Sequence, residues 1–566
     1  MTEQRSEAVS SAALDDALAT VAASASRWGA TTPAQRARLL RRVIDDTHAV
    51  APEWNTAACR AKGLDPEGVA GGEELLAGVG MFVRQLQTYR RSLLEIDRTG
   101  RPRYPGPVTH RPDDRIAVGV APASLLDRLL FLGDRAEVWM EPGVDEATVR
   151  ATQARAYREE TPVTVAVVLG AGNVAALAPK DVVYQLIVEN RVVVLKMNPI
   201  NEYLLTYWER ALSALIEMGV VRIVTGDASV GQYLVQHPDV AHIHVTGSEA
   251  TYNAIVFGTG AEGERRRRDG APLVSTPVSA ELGNVSPVII VPGQWTSAEL
   301  RYQAAHVATM IVNNAGFNCL TPRVLVTSRQ WPQRDEFLHA LEDVLATLAP
   351  RRAYYPGAHG RYAAFLAAHP DARRVGEATT DELPWTIIRD VDPRRTDDVC
   401  FTTEAFCALV SETALEEGSP RDFLAAAVNF CNEVVHGTLC ATLLIDPRTR
   451  RAADRELERA IADLRYGTIG VNVFHALGIV LGTTTWGAYP GHSPHDIQSG
   501  VGVVGNANMF ARPQKSVVRG PFRARPTPAW FITHRHGARA MREFFEVLCH
   551  PSGRRWLALF AAALRP

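Results

Sequence analysis

The chain has 566 residues, 46% hydrophobic and 22% charged, a balance that excludes a largely disordered protein and leaves volume for more than one core. Its 60 basic and 62 acidic residues give a net charge of −2, so no global field draws it to nucleic acid or anionic lipid, and a small molecule is the expected partner. Seven cysteines, Cys59, Cys319, Cys400, Cys407, Cys431, Cys440 and Cys549, stand in no paired spacing, which speaks against a disulfide framework. The first residues lack the basic-then-apolar pattern of a secretory leader, and the longest uncharged stretches are broken by Gly, Pro, Asn and His, so a cytoplasmic protein without a membrane span is expected.

Residues 11 to 95 repeat apolar positions at three- and four-residue spacing, as in Leu39, Leu40, Val43 and Ile44, and predict amphipathic helices. Pro and Gly punctuate residues 100 to 122, and residues 123 to 160 give no clear pattern. From residue 162 short β-branched runs alternate with helical ones: VTVAVVLG, DVVYQLIVEN, RVVVLKMNP, LLTYWERALSALIEMG and VVRIVTG. That alternation predicts βαβ units and a parallel sheet. After a break near 258 to 277 a second series follows: SPVIIVP, a helix over about 298 to 315, PRVLVTS, and a helix over about 333 to 348. The fold class is therefore α/β with two lobes. The expected division is 1–280 for the helices and first lobe, 281–490 for the second lobe, and 491–566 for a return segment and tail. Residues 515–566 read as an Arg-rich stretch and two apolar-faced helices.

Several short motifs carry chemistry. GAGNVA at 170 to 175 is a glycine-rich strand-to-helix turn, weak on its own as a nucleotide signal. Lys196 ends the next strand, in a chain with only four lysines (Lys62, Lys180, Lys196 and Lys515), where a compact ammonium was kept against an arginine default. VTGS follows at 245 to 248, ELG at 281 to 283, GFNC at 316 to 319 and EAF at 404 to 406. This order and these separations, above all the 23-residue step from Asn173 to Lys196, resemble the aldehyde dehydrogenase superfamily over roughly residues 10 to 510.

The resemblance implies two Rossmann-like lobes with NAD or NADP bound by the first and an aldehyde entering between them. Cys319 would be the nucleophile, a thiolate able to add to a carbonyl and carry an acyl group. Asn173 would donate to the oxyanion, and Glu281 would activate water against the thioester. Lys196 would hold the adenine-side ribose, Gly247 and Ser248 would meet the pyrophosphate at a helix N-terminus, and Leu282 would offer its backbone to the nicotinamide amide. Glu404 would grip the nicotinamide ribose, with Phe406 packed nearby. Family members commonly form dimers or tetramers, so a homo-oligomer is expected, with the tail packed on its own body or a neighbour.

The sequence also departs from the family. Pro199 stands where an acidic residue often follows the lysine, leaving NAD and NADP both open, and Phe317 replaces a common glutamine. Arg265 to Arg268 read as a solvated insertion loop, or more sharply as a clamp for an acidic substrate or a cofactor phosphate. The histidines show no metal-binding spacing, so no metal is assigned. Phe317, Leu320, Phe474 and Trp486 suggest an apolar tunnel. Two alternatives stay open: an acyl-coenzyme A or carrier-thioester reductase, against which Glu281 argues, and a catalytically silent binding or structural homologue.

Overall fold

A computed structural model describes residues 10–131 and 133–563. Four α-helices open the chain, Ser11–Gly29, Pro33–Lys62, Val69–Leu75 and Met81–Thr99. The second begins in a reciprocal cap between Thr32 and Gln35 and stops at Gly63, whose φ of 69° suits glycine. A π-helical turn, Leu76–Gly80, joins the third to the fourth. The helical reading of residues 11 to 95 is thus met by the structure.

The first lobe is a six-stranded sheet in the order Gly500–Val501, Val278–Glu281, Val240–Thr246, Thr164–Leu169, Arg191–Lys196, Val221–Val224. All pairings are parallel except that of the short Gly500–Val501 edge. Its central strands Thr164–Leu169 and Arg191–Lys196 are apolar on both faces along their middles, as a parallel sheet covered by helices requires. The second lobe is the centre of an eleven-stranded sheet, in which Pro513–Arg519, Thr468–Val471, Cys440–Leu444, Ser286–Ile290, Pro322–Ser328, Leu409–Leu415 and Trp385–Ile388 run parallel.

Three expectations need correction. The open stretch contains a short helix, Leu125–Leu130, and a strand, Arg135–Met140, which joins Val108–Arg111 and Arg115–Ala121 in an antiparallel flank of the second sheet. A division in chain order at residue 280 therefore does not follow the sheets, because 108–140 pair with the second lobe while Gly500–Val501 returns to the first. Residues 515 to 519 are not tail: Ser516, Val517 and Val518 are fully buried in the strand Pro513–Arg519, which its polar residues and Arg-rich flanks had obscured. Arg265 to Arg268 lie in a helix, Gly260–Asp269, rather than a loop. It is solvated as expected, and Arg265 and Arg266 are held by Glu262 at 2.8 and 2.9 Å.

Of the tail helices, Gly537–Cys549 packs on the chain's own N-terminal helices and Gly553–Ala563 packs on Gly537–Cys549. Glu546 reaches His48 at 3.2 Å, Arg542 pairs with Glu67 at 3.0 Å, and Phe544 meets Phe131 edge-on with centroids 6.2 Å apart. Among the described residues no helix is long and apolar enough to cross a membrane.

Candidate active site

The carboxyl ends of the first sheet's parallel strands converge on one edge. Leu169 leads into the Asn173 loop, Lys196 ends its strand, Thr246 precedes Gly247 and Ser248, and Glu281 lies opposite Thr246 in register. Ligands of open α/β sheets bind at this edge. From Glu281 the chain passes within five residues to Ser286, where the second sheet begins, and Cys319 precedes the adjacent strand Pro322–Ser328. The two sheets thus face each other across Glu281 and Cys319.

The turn that presents Cys319 is conformationally demanding. After the helix Ser297–Val312 comes a left-handed run, Asn314, Ala315 and Gly316, with φ of 49°, 55° and 79°. A Cβ on Gly316 would stand 2.3 Å from the Cys407 carbonyl oxygen, so only glycine fits there. The strain of the two non-glycine residues is held by hydrogen bonds centred on Asn314. Its amide donates to the carbonyls of Asn173 and Phe317 and to Asn318 Oδ1, at 3.1, 3.2 and 2.9 Å. Its Oδ1 accepts from Lys62 Nζ and the Tyr354 hydroxyl at 3.1 and 3.0 Å. Lys62, buried, also pairs with Glu74 at 2.7 Å and donates to the Asn173 carbonyl at 3.1 Å. The N-terminal helices therefore set the position of both the Asn173 loop and the Cys319 turn.

Cys319 is half-buried, and its Sγ lies 3.7 Å from Glu281 Oε1. Exclusion of water, reinforced by the carboxylates of Glu281 and Glu404, holds its thiol pKa above the usual value. Asn173 donates its amide to the Phe317 carbonyl at 2.9 Å, which leaves a second amide hydrogen. The Leu320 carbonyl is held by His475 Nε2 at 2.6 Å, and His475, fully buried, stays neutral with its pKa pushed down to about 4 by burial.

Glu281 is buried. Desolvation, then the charge of Asp181, raises its pKa to about 7 against the hydrogen bond from Trp486 Nε1 at 2.7 Å. Its Oε2 has no partner among the described residues. Beside it Lys180, fully enclosed and donating to the Ile479 carbonyl at 3.2 Å, has its pKa lowered by burial to about 8. A file of polar side chains runs along the same sheet face: His242 to Ser279 at 2.9 Å, Ser279 to His244 at 2.8 Å, and Thr246 to Asp181 at 2.9 Å.

The remaining sequence candidates divide between this centre and the strand ends. Glu404 abuts Gly283, where a Cβ would meet its Oε2 at 2.2 Å, and its Oε1 is buried without a partner. Burial raises the Glu404 pKa to about 7. Leu282 is buried and gives its N–H to the Ser499 carbonyl at 2.9 Å. Phe406 lies in an edge-on cluster with Tyr355, centroids 4.9 Å apart. Lys196 is buried, and among the described residues its ammonium has no hydrogen-bonded partner, unlike Lys62, Lys180 and Lys515. Ser248 caps the helix Glu249–Val256 through Thr251 N at 3.1 Å, while Gly247 gives its N–H to the Glu281 carbonyl at 3.0 Å. Arg267 pairs with Glu249 at that helix's first turn, 3.0 Å away.

An apolar cavity of about 330 Å³ opens from Cys319, Asn173 and Glu281. Leu320 and Phe474 line it, as the sequence suggested, whereas Trp486 points at Glu281 and Phe317 packs edge-on against Tyr354, 4.9 Å away. Sequence reasoning missed Asn314 and Tyr354, and named Lys62 and Trp486 without the roles the structure gives them; for Lys62 the signal was the rarity of lysine. Elsewhere His369, Asp398 and Cys400 bring ligand-type atoms within 4.8 Å of one another, but Asp398 is there engaged by His369 at 2.9 Å and caps a helix through Cys400 N.

Comparison with known proteins agrees with this arrangement. Residues 134–355 match the model of the aldehyde dehydrogenase family. A curated relative from Fusarium sp, "Aldehyde dehydrogenase LUC3", is 26% identical over 157 residues, which are 27% of this chain and 31% of that protein's length. The match thus spans about a third of that relative. Among solved structures, an NAD-dependent aldehyde dehydrogenase from Sinorhizobium meliloti superposes with a TM-score of 0.61 at 18% identity, covering 92% of this chain and 89% of that one. A putative aldehyde dehydrogenase from Burkholderia cenocepacia gives 0.60 at 18% identity, covering 89% and 91%. At these identities the superpositions establish the fold.

Proposed function

We propose that the chain, whose residues 134–355 match the aldehyde dehydrogenase family, is a member of that superfamily and oxidises an aldehyde to a carboxylic acid with NAD or NADP, through a thioester on Cys319. The observation that carries this reading is the 3.7 Å approach of Cys319 Sγ to a buried Glu281 carboxyl, beside the Asn173 amide.

The first lobe fits the dinucleotide. Lys196 is the one lysine whose ammonium lacks a protein acceptor among the described residues, and the orphaned Glu404 Oε1 suits a ribose hydroxyl. Gly247, Ser248 and the first turn of Glu249–Val256 would face the pyrophosphate, and Leu282 and Phe406 would border the nicotinamide. When bound, the oxidised nicotinamide accepts the hydride. The solved structures of similar fold include both NAD-dependent and NADP-dependent enzymes, and Pro199 after Lys196 leaves either open.

Each step then falls to a residue of this chain. Cys319 loses its proton, for which Glu281 Oε1 is the adjacent acceptor, and adds through sulfur to the aldehyde carbon. The free Asn173 amide hydrogen and the Cys319 N–H hold the oxyanion. After the hydride has left, the acyl group remains on sulfur as a thioester. Glu281, having passed the Cys319 proton to solvent and so ionised again, takes a proton from water as oxygen bonds to the acyl carbon; the C–S bond then breaks and returns the Cys319 thiolate with release of the acid. Because burial raises the Glu281 pKa to about 7, hydrolysis is expected to rise as pH increases through that value.

The test is cofactor reduction with a panel of aldehydes, with and without coenzyme A. Oxidation that needs no coenzyme A and yields free acid supports the proposal. Release of an acyl-coenzyme A alone would overturn the hydrolytic half.

A further inference from the structure

The cavity beside Cys319 does not end in the two lobes. It continues under the tail, where Met541, Phe544 and Leu548 of Gly537–Cys549 and Leu559, Phe560 and Ala563 of Gly553–Ala563 line it. On the first tail helix these residues stand at i, i+3 and i+7, one stripe, flanked by the buried Phe545 and Cys549. The opposite wall is built by Val174 and Leu177, which follow Asn173, and by Met81 after the π-helical turn. One continuous apolar space therefore joins the reacting atoms to the underside of two helices at the far end of the chain.

The charged groups along this space are already engaged or are acids. Arg84 pairs with Asp127 at 2.7 Å, and Glu73 pairs with Arg351 at 3.1 Å. His306 is kept neutral by burial, its pKa pushed down to about 3, and burial raises Asp134 to about 7. The lining cation without an ion pair, Arg525, is exposed at the outside. Among the described residues nothing inside offers a counter-charge to a carboxylate or phosphate on the substrate, and burying one there without a partner is strongly disfavoured.

We propose that the substrate is an aldehyde at the end of a long, uncharged hydrocarbon chain, and that the tail helices Gly537–Cys549 and Gly553–Ala563 form the roof that receives the chain and sets its length. This rests on Cys319 as the site of reaction. Each methylene that enters such a space improves binding by roughly four-fold, so selectivity rises with chain length until the roof is reached.

Two measurements test this. With straight-chain aldehydes from butanal to dodecanal, kcat/KM should climb by roughly three- to four-fold per methylene and then level off. Leu559→Trp, which fills the roof end, should lower the decanal-to-butanal ratio of kcat/KM by at least about ten-fold, roughly two methylenes' worth. Leu557→Trp, on the exposed side of the same helix, should leave that ratio unchanged. A ratio is insensitive to a uniformly damaged preparation. Separately, calorimetric binding of 1-butanol and 1-decanol to the Cys319→Ala protein reads the chain site without turnover. Decanol should bind far more tightly, and Leu559→Trp should weaken it. If decanol binds in this way while no aldehyde is oxidised, the redox reading fails and the chain site stands. If aldehydes are oxidised with no dependence on length, or if Leu559→Trp leaves the decanal-to-butanal ratio unchanged, the roof proposal is overturned.

Discussion

The two sides of Cys319 are built on different physical principles. On one side Asn173, Asn314 and Lys62 form a buried polar network, and Glu281 beside Cys319 is held by Trp486. On the other side an apolar cavity is bounded by shape alone, by side chains such as Met81, Leu177 and Phe544. A directional network loses much when one atom is removed, because a desolvated partner is left behind. An apolar wall loses in proportion to the area or volume changed. The comparison predicts that single polar substitutions act on the chemistry and on local order, and that apolar ones act on selectivity.

The largest effect should come from Cys319→Ala, with turnover abolished and cofactor binding retained in a titration. Comparable turnover would remove the polar side's claim to the reaction. Next is Asn173→Ala, for which loss of an oxyanion donor predicts a fall of about 10² to 10³ in kcat with a much smaller change in KM. A fall confined to KM would place Asn173 in binding instead. Lys62→Met should leave Glu74 buried without its partner and release the Asn173 and Asn314 acceptors at once. Breaking a buried pair predicts a loss of roughly 3 kcal/mol or more in denaturant unfolding. A loss below about 1 kcal/mol would show that the network is less demanding than its geometry implies.

Glu281 gives the smallest effect and the one with an unexpected sign. Its folded-state pKa of about 7 lies above the ordinary 4.5, so ionising it in the native protein costs stability. That cost is absent below pH 4.5, where the group is protonated folded or unfolded, and is fully present above about pH 7. Glu281→Gln should therefore melt at or above the wild-type temperature at pH 8, with the gap closing toward pH 4. A variant less stable at pH 8 would mean that the Trp486 hydrogen bond, which opposes desolvation, dominates.

How far the sequence disclosed these two sides follows from how each is encoded. The polar side is carried by short motifs at strand ends, so Asn173, Glu281 and Cys319 could be proposed as a set, and the structure brings those three together. Their supports could not be read, because Lys62 and Asn314 are 252 residues apart and carry no local pattern. The apolar side left only periodicity. Met541, Phe544 and Leu548 could be recognised as a buried stripe, but what they cover depends on tertiary packing. The alternating strands from 162 onward predicted the parallel sheets, whereas Pro513–Arg519 was hidden by its polar flanks and by its pairing with the distant Arg135–Met140.

The central claim is that the acyl group rests on Cys319 until Glu281 directs water to it. It is tested most directly by trapping that species. Glu281→Gln protein mixed with cofactor and an excess of aldehyde should give a burst of reduced cofactor close to one per active site, followed by a slow steady rate. Intact-protein mass spectrometry of the quenched mixture should show one acyl adduct, and peptide mapping should place it on Cys319. A stoichiometric burst with no adduct, or an adduct on another of the seven cysteines, would contradict the account.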